Sequence, residues 1–238
     1  MTVALSTYRP CHRRRHLRPR QNDNLEQQAQ ALFDYYFLQH TELLGDATES
    51  NLTGIASYLN GLAMQKFRPE DDEEGLPVLK IKELGQNCTD ASSDRCSSSI
   101  DEKYIIEDGE VIFSWSGTLM VRVWTGGRCG LNQHLFVVRS QQYPKWFIYF
   151  WTKYHLDTFI RIAQDKAVTM GHIKRGELDK SKVIIPSPAM MTKLDALISP
   201  IFEQMIDKSI ENRNLAELRD NLLPKLMSGE LKIEEMNR

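Results

Sequence analysis

No acidic residue occurs between Val111 and Leu156. That gap stands out in a chain of 238 residues with 32 acids against 30 bases. Other absences narrow the function. No apolar run is long enough to span a bilayer, and the start has no apolar signal core. The chain therefore reads as cytoplasmic, with no membrane partner. Cysteine is scarce: Cys11, Cys88, Cys96 and Cys129 form no CxxC pair and no zinc spacing with the six histidines. A Cys88–Cys96 disulfide is one reading, and free thiols are the reading favoured by the compartment.

Enzyme motifs are missing too. A methyltransferase needs a glycine-rich turn after a strand, and an amino-methylating one an Asn/Asp-Pro-Pro-aromatic motif. Neither occurs, and "IIPSPAM" does not substitute. A metal-dependent nuclease of the common type needs an acid two residues before a lysine. Lys80 and Lys82 are preceded there by Val78 and Lys80. Ser116 stands in "WSGT", not in a GxSxG elbow, and no Walker loop is present. His134 and His172 have no carboxylate near them in sequence to orient a general base. These absences predict a chain without catalytic residues, cofactor or metal.

What is present is charge segregated along the chain. Residues 1–20 carry six arginines and no acid. Residues 69–110 carry four bases and thirteen acids, and residues 111–175 nine bases and two acids. A basic block of this kind is the footprint of a polyanion-binding face. Its centre is "FSWSGTLMVRVWTGGRCGLNQHLF", residues 113–136. Turns of Ser, Thr, Gly, Lys and Arg offer donors to phosphates, and Asn, Gln and His can reach base edges. On that chemistry Lys66, Arg68, Arg128, Lys166, Lys174 and Arg175 are candidate phosphate contacts. Ser116, Thr118, Asn132, Gln133, His134, Thr169 and His172 are candidate polar or base contacts. Against this stands plain packing: Trp115 and Trp124 suit core anchors, His134 a core histidine, and Arg122 a cross-strand ion pair. The acids Glu70 to Glu74 suit a solvated loop facing away from a polyanion.

Helical periodicity marks both ends. In "NDNLEQQAQALFDYYFLQH", Leu25, Ala29, Leu32, Phe33, Tyr36 and Phe37 form one stripe, with Asp23 and Glu26 placed for a capping box. Near the other end Ser199-Pro200 suits a helix start, followed by Ile201, Phe202, Met205, Ile206, Ile210, Leu215, Leu218 and Leu222, with Pro224 as its limit. Residues 189–198 are also helix-compatible, which allows one longer kinked helix. Asn22-x-Asn24-Leu25 and Leu32-Phe33 recur 190 positions later as Asn212-x-Asn214-Leu215 and Leu222-Leu223. Each stripe packs either on the central domain or on the other as a coiled stalk. Between them, 77–81, "EVIFSW", "LMVRVW", "LNQHLFVVR" and "KVIIP" read as strands, and Pro144 opens an aromatic helix. The fold class is α+β: one mixed domain with a twisted sheet core, flanked by terminal helices. The domain limits read as a disordered basic arm at 1–20, a helix at 21–45, the mixed domain at 46–187 and a helical region at 188–238. A basic arm touching nucleic acid is the other reading of residues 1–20.

Several of these segments agree in order and spacing with a known family. "FSWSGTLMVRVWTGGRCGLNQHLF", "PKWFIYFWTKYHL" with "DKAVTMGHIKRGEL", and "NRNLAELRDNLLPKLMSGEL" resemble the specificity subunit of type I restriction-modification enzymes. The match covers about residues 22–232. It implies a non-catalytic subunit that recognises double-stranded DNA through a target-recognition domain, each domain reading one half of a bipartite site. It implies flanking helices that pair antiparallel and dock methyltransferase subunits, with restriction subunits engaged indirectly. On this chain that surface would use Phe33, Tyr36, Ile206, Ile210 and Leu218. The family's usual chain has two recognition domains; this one has a single domain and resembles a C-terminal half or a half-subunit. A homodimer would restore two half-sites. The alternatives are a self-contained DNA methyltransferase or nuclease, and a helical assembly adaptor that never touches DNA.

Overall fold

The computed structural model describes residues 19–165 and 175–230. Helix α1 (Pro19–Asp34) continues through a wider turn at Tyr35–Gln39 and a short 3-10 turn at Thr41–Leu44. The Leu44 carbonyl then accepts from the Ser187 amide at 3.0 Å, and Ser187 is the N-cap of the last helix, α7 (Pro188–Met227). The exit of α1 thus lies beside the entry of α7, and the two pack along each other. They run antiparallel.

The apolar stripe of α1 explains the pairing. Ala29, Phe33 and Phe37 are buried, Leu25, Leu32 and Tyr36 pack beside them, and Gln27, Gln28, Ala31 and Leu38 are exposed. Beneath them lies α4 (Lys145–Tyr154), the helix opened by Pro144. Phe33 meets Phe150 and Trp151 at ring distances of 5.4 and 5.2 Å, and Phe202 of α7 meets Tyr149 at 5.3 Å. Trp146 donates its Nε1–H to Asp195 on α7 at 2.8 Å. One aromatic layer therefore joins both terminal helices to the domain. Each such fully buried apolar side chain stabilises by roughly 1.5–3 kcal/mol relative to exposure.

The domain's central sheet has the order β2-β9-β6-β7, all antiparallel: β2 (Ser57–Asn60), β6 (Val111–Ser114), β7 (Met120–Val123) and β9 (Leu135–Arg139). Successive strand side chains point to opposite faces. Val111, Phe113, Phe136 and Val138 pack with the helices. Ile112, Leu135 and Val137 pack the other way, against a second sheet. Burial on both faces explains why these strands read as nearly continuous apolar runs. The second sheet has the order β4-β3-β8-β5: β3 (Leu76–Leu79), β4 (Arg95–Cys96), β5 (Ile105–Ile106) and β8 (Cys129–Leu131), with β3 and β8 parallel. A small pair, β1 (Thr48–Asn51) with β10 (Lys182–Ile185), closes the domain beside the helices. Short helices α2 (Leu52–Ile55), α3 (Ile81–Gln86), α5 (Leu156–Asp165) and α6 (Arg175–Lys180) fill the connections.

Expectations at three places are corrected. "LNQHLFVVR" is not one strand: residues 132–134 form a turn between β8 and β9, so Asn132, Gln133 and His134 sit on a loop. Ser199-Pro200 does not start a helix. α7 begins at Pro188, carries Pro200 and Pro224 inside it, and Ser199 Oγ bonds Asp195 one turn back. A proline costs an interior helix one hydrogen bond, which the packing of Ile198, Phe202, Met205 and Ile206 offsets. Asp23 is not an N-cap, because α1 already runs from Pro19. Glu26, its supposed capping partner, instead accepts from Tyr149 Oη at 2.7 Å and from Lys153 Nζ.

Candidate nucleic-acid interface

Strand register decides which loops meet. Asn60 pairs with Phe136, Leu135 with Ser114, and Ser114 with Met120. The ends of β2 and β6 and the starts of β7 and β9 therefore share one end of the central sheet. Three turns leave that end: 61–68, 115–119 and 132–134.

They are tied together by specific bonds. Leu62 N–H donates to Leu131 O at 2.9 Å, and Gln133 N–H donates to Leu62 O at 2.8 Å. Trp115 donates Nε1–H to Asn60 Oδ1 at 2.9 Å and lies stacked 5.5 Å from Phe136. Asn132 N–H reaches Leu79 O at 3.2 Å, which brings in the chain entering α3. Gly61 makes this approach possible: a β-carbon there would fall 2.3 Å from both the Leu131 and Asn132 carbonyl oxygens. The turns are thus a braced cluster rather than independent loops.

Cations gather at its rim. Lys66 and Arg68 are exposed just past Leu62, on a turn fixed by Phe67 O accepting from Ser97 N–H at 2.8 Å. Lys80 pairs with Asp94, and Lys82 lies 3.8 Å from an Asp90 carboxylate oxygen. The Asp94 carboxyl is held below its ordinary range by the Lys80 hydrogen bond, with Arg68 and Lys82 adding at longer reach. Lys80 and Lys82 thus flank the entry to α3, with Arg68 within electrostatic reach of Asp94. Asp90 is lowered chiefly by its bond from Ser92. The rim carries three exposed bases, Lys66, Arg68 and Lys82, and the half-buried Lys80; the two lysines of α3's entry are partly offset by acids.

The expected contacts divide on this geometry. Thr118 is exposed on the 115–119 turn, and Gln133 and His134 are half-buried on 132–134. His134 has its Nδ1 enclosed without a hydrogen-bond partner among the described residues, and its Nε2 lies 3.4 Å from Gln133 Nε2. The expectation of a satisfied core histidine is thus not met. Ser116 and Asn132 are buried. The Asn132 carboxamide oxygen accepts from His134 N–H at 3.3 Å, so this side chain shapes the turn rather than facing outward. Arg128 lies at the opposite end of β8 from Asn132, about 13 Å away at a strand's rise per residue. It pairs there with Glu107 at 2.9 Å. Arg175 lies along the edge strand β2, donating to Tyr58 O at 2.9 Å. Lys166, Thr169, His172 and Lys174 fall outside the described residues.

Other side chains also take defined places. Trp124 is fully buried and donates to Gly127 O at 2.6 Å, so it is the core anchor expected. Among the described residues Arg122 has no acid paired across the sheet; it is exposed on β7, where its charge helps hold down the Glu26 carboxyl. Among the proposed docking residues, Phe33 and Ile206 are buried within this chain and offer no outer surface. Tyr36 and Ile210 are partly buried against the same core, and Leu218 is 54% exposed. Cys96 and Cys129 are free thiols, so the Cys88–Cys96 disulfide is not formed, and burial pushes Cys96 up to about 11. Sequence reasoning passed over Asn60, Lys80 and Lys82 as site residues. Their signal was weak: two lysines spaced by one residue at a strand end, tested only against a nuclease motif. Among the described residues no cluster of His, Cys, Asp or Glu could hold a metal, and no helix is long and apolar enough to cross a membrane.

A sheet domain clasped to an antiparallel helix pair, with polar turns braced at one sheet end, defines a helix-clasped α+β class. Within that class the chain belongs to the type I restriction modification DNA specificity domain family, whose model matches residues 45–219. It is 27% identical over 170 residues to the type I restriction enzyme MjaIX specificity subunit of Methanocaldococcus jannaschii, covering 68% of this chain and 39% of that protein. It is 24% identical over 191 residues to the type I restriction enzyme HindI specificity subunit of Haemophilus influenzae, covering 76% and 40%. The chain therefore spans about two-fifths of these curated relatives. The solved type I restriction-modification S subunit from M. genitalium shares the fold at a TM-score of 0.54 and 12% identity, over 87% of this chain and 54% of that one.

Proposed function

We propose that this chain recognises double-stranded DNA by sequence for a type I restriction-modification system, without catalysing a reaction itself. The braced turns at one end of the central sheet face a DNA groove. Thr118, Gln133 and His134 approach base edges, and Lys66, Arg68, Lys80 and Lys82 hold phosphates on either side. The observation that carries this reading is the fixed cluster of donor-rich turns with bases at its rim. A preorganised loop set loses little entropy on binding. A single domain reads one half of a bipartite target, and a second copy or another chain supplies the other half.

Docking of methyltransferase subunits falls to the helical arm, with restriction subunits reached through them. The far part of α7 supports this assignment. Leu215, Leu218, Leu223 and Met227 are exposed there, and Ile210, Leu215 and Leu218 line an open groove of about 350 Å³. Methylation mapping in cells carrying this chain with its methyltransferase partner tests the reading. One recurring interrupted motif should become methylated. Methylation that is absent, or unaffected by deleting this chain, would end the proposal.

A further inference from the structure

We infer that Arg213 is a positioning residue that ties the setting of the helical arm to the geometry of the recognition turns. The inference rests on the DNA-recognition reading for its consequence, though not for its structural content.

Arg213 sits on α7 and is only 20% exposed. Its guanidinium grips Asp108 with two parallel bonds, Nη1 to Oδ1 at 2.8 Å and Nη2 to Oδ2 at 2.9 Å. Nη1 also donates to Thr125 O at 2.7 Å. Asp108 Oδ1 accepts in addition from Gly127 N–H at 2.8 Å, and Gly127 holds φ +90°, a conformation that favours glycine. One side chain of the arm thereby fixes two separate turns of the domain.

The bonding continues inward. Asn87 Oδ1 accepts from Thr125 N–H at 3.1 Å, and Asn87 Nδ2 donates to Thr125 Oγ1 at 2.7 Å. Asn87 is the left-handed C-cap of α3, with φ 52°. At the other end of α3, Lys80 and Lys82 stand at the rim, Leu79 O holds the Asn132 amide, and Ile81 Cδ1 lies 3.4 Å from where a β-carbon on Gly117 of the 115–119 turn would stand. Six residues of helix span about 9 Å. A displacement at Asn87 therefore moves α3 as one body under the recognition turns. A mere anchor would need the Asp108 fork alone; the reciprocal Asn87–Thr125 pair makes the contact continuous with the candidate interface.

The test uses the full chain with Arg213→Lys, Asn87→Gly and the double variant. Lysine keeps the charge and cannot fork. Glycine keeps the left-handed backbone and removes the carboxamide. Amide exchange of the free protein is read at Asn132 and Gln133, and sequence enrichment from a pool of randomised duplexes is read in parallel. Each single variant should speed exchange at Asn132 and Gln133 about tenfold, leave the β6–β9 ladder unchanged, and reduce enrichment. The double variant should go no further than either single one. Faster exchange confined to Thr125 and Gly127, or additive effects in the double variant, would overturn the inference. The expected exchange pattern in a protein that enriches no sequence would instead uphold the relay and remove the DNA reading.

Discussion

Gly61→Ala is the sharpest probe of how the recognition turns are held. The added methyl would lie 2.3 Å from the carbonyl oxygens of Leu131 and Asn132. That is about 1 Å inside an ordinary C···O contact. Both obstacles are backbone, so the 61–68 turn must back away from β8. Three bonds then stretch: Gly61 N–H to Leu135 O at 3.0 Å, Leu62 N–H to Leu131 O at 2.9 Å and Gln133 N–H to Leu62 O at 2.8 Å. At about 1 kcal/mol each, the loss is about 3 kcal/mol. Stiffening the unfolded chain returns about 0.4–1 kcal/mol. The net is about 2 kcal/mol, or a Tm lower by about 4–8 °C in a chain of this size. Thermal unfolding measures it, and duplex binding should weaken with it because Lys66 and Arg68 move with the turn. A variant that melts with the parent would show that the turns are not braced as described.

Three further outcomes follow from other parts of the molecule. Phe33→Ala should destabilise by about 3–5 kcal/mol in chemical denaturation, because its ring fills the layer between α1 and α4. Leu218→Asp should leave stability within about 0.5 kcal/mol, since the side chain is 54% exposed, yet abolish co-purification with the methyltransferase subunit. Burial pushes the Glu26 carboxyl up, but bonds from Lys153 and Tyr149 outweigh it and leave it below the ordinary glutamate value. A depressed folded value means stability that is present above the unfolded value and lost as pH falls through the folded one. Glu26→Gln should therefore flatten the acid limb of the stability curve; an unchanged limb would remove Glu26 from that role.

Much of the fold is visible in the residues. The stripe Leu25 to Phe37, the proline-opened aromatic helix and the β-branched runs each carry a periodicity that local structure must obey. Helix α7 was harder, because a proline inside a helix and a proline at its start look alike in sequence; only the packing of Ile198 and Phe202 tells them apart. The turn at 132–134 was hidden for a similar reason. Asn132, Gln133 and His134 are flanked by Leu131 and Leu135, which mimics strand alternation. The candidate site was legible as chemistry and not as place. Charge pointed to a basic block, but pairing across the chain moves Arg128 to the far end of β8 and draws in Lys80 and Lys82 from an acidic stretch. Only strand register could reveal that.

The central claim is that DNA lies on the end of the central sheet bearing Lys66, Arg68, Lys80 and Lys82. The salt dependence of duplex binding tests it most directly. Replacing all four by alanine should lower the slope of log K against log salt by about 3, near 0.9 per phosphate contact with allowance for the Asp90 and Asp94 pairings. At the other end stand Arg128, Arg139, which closes β9 away from the turns, and Lys103, whose carbonyl accepts from Arg139 Nη1 at 2.8 Å; replacing these three should leave the slope as it is. Equal losses from both sets, or no loss from the first, would contradict the account.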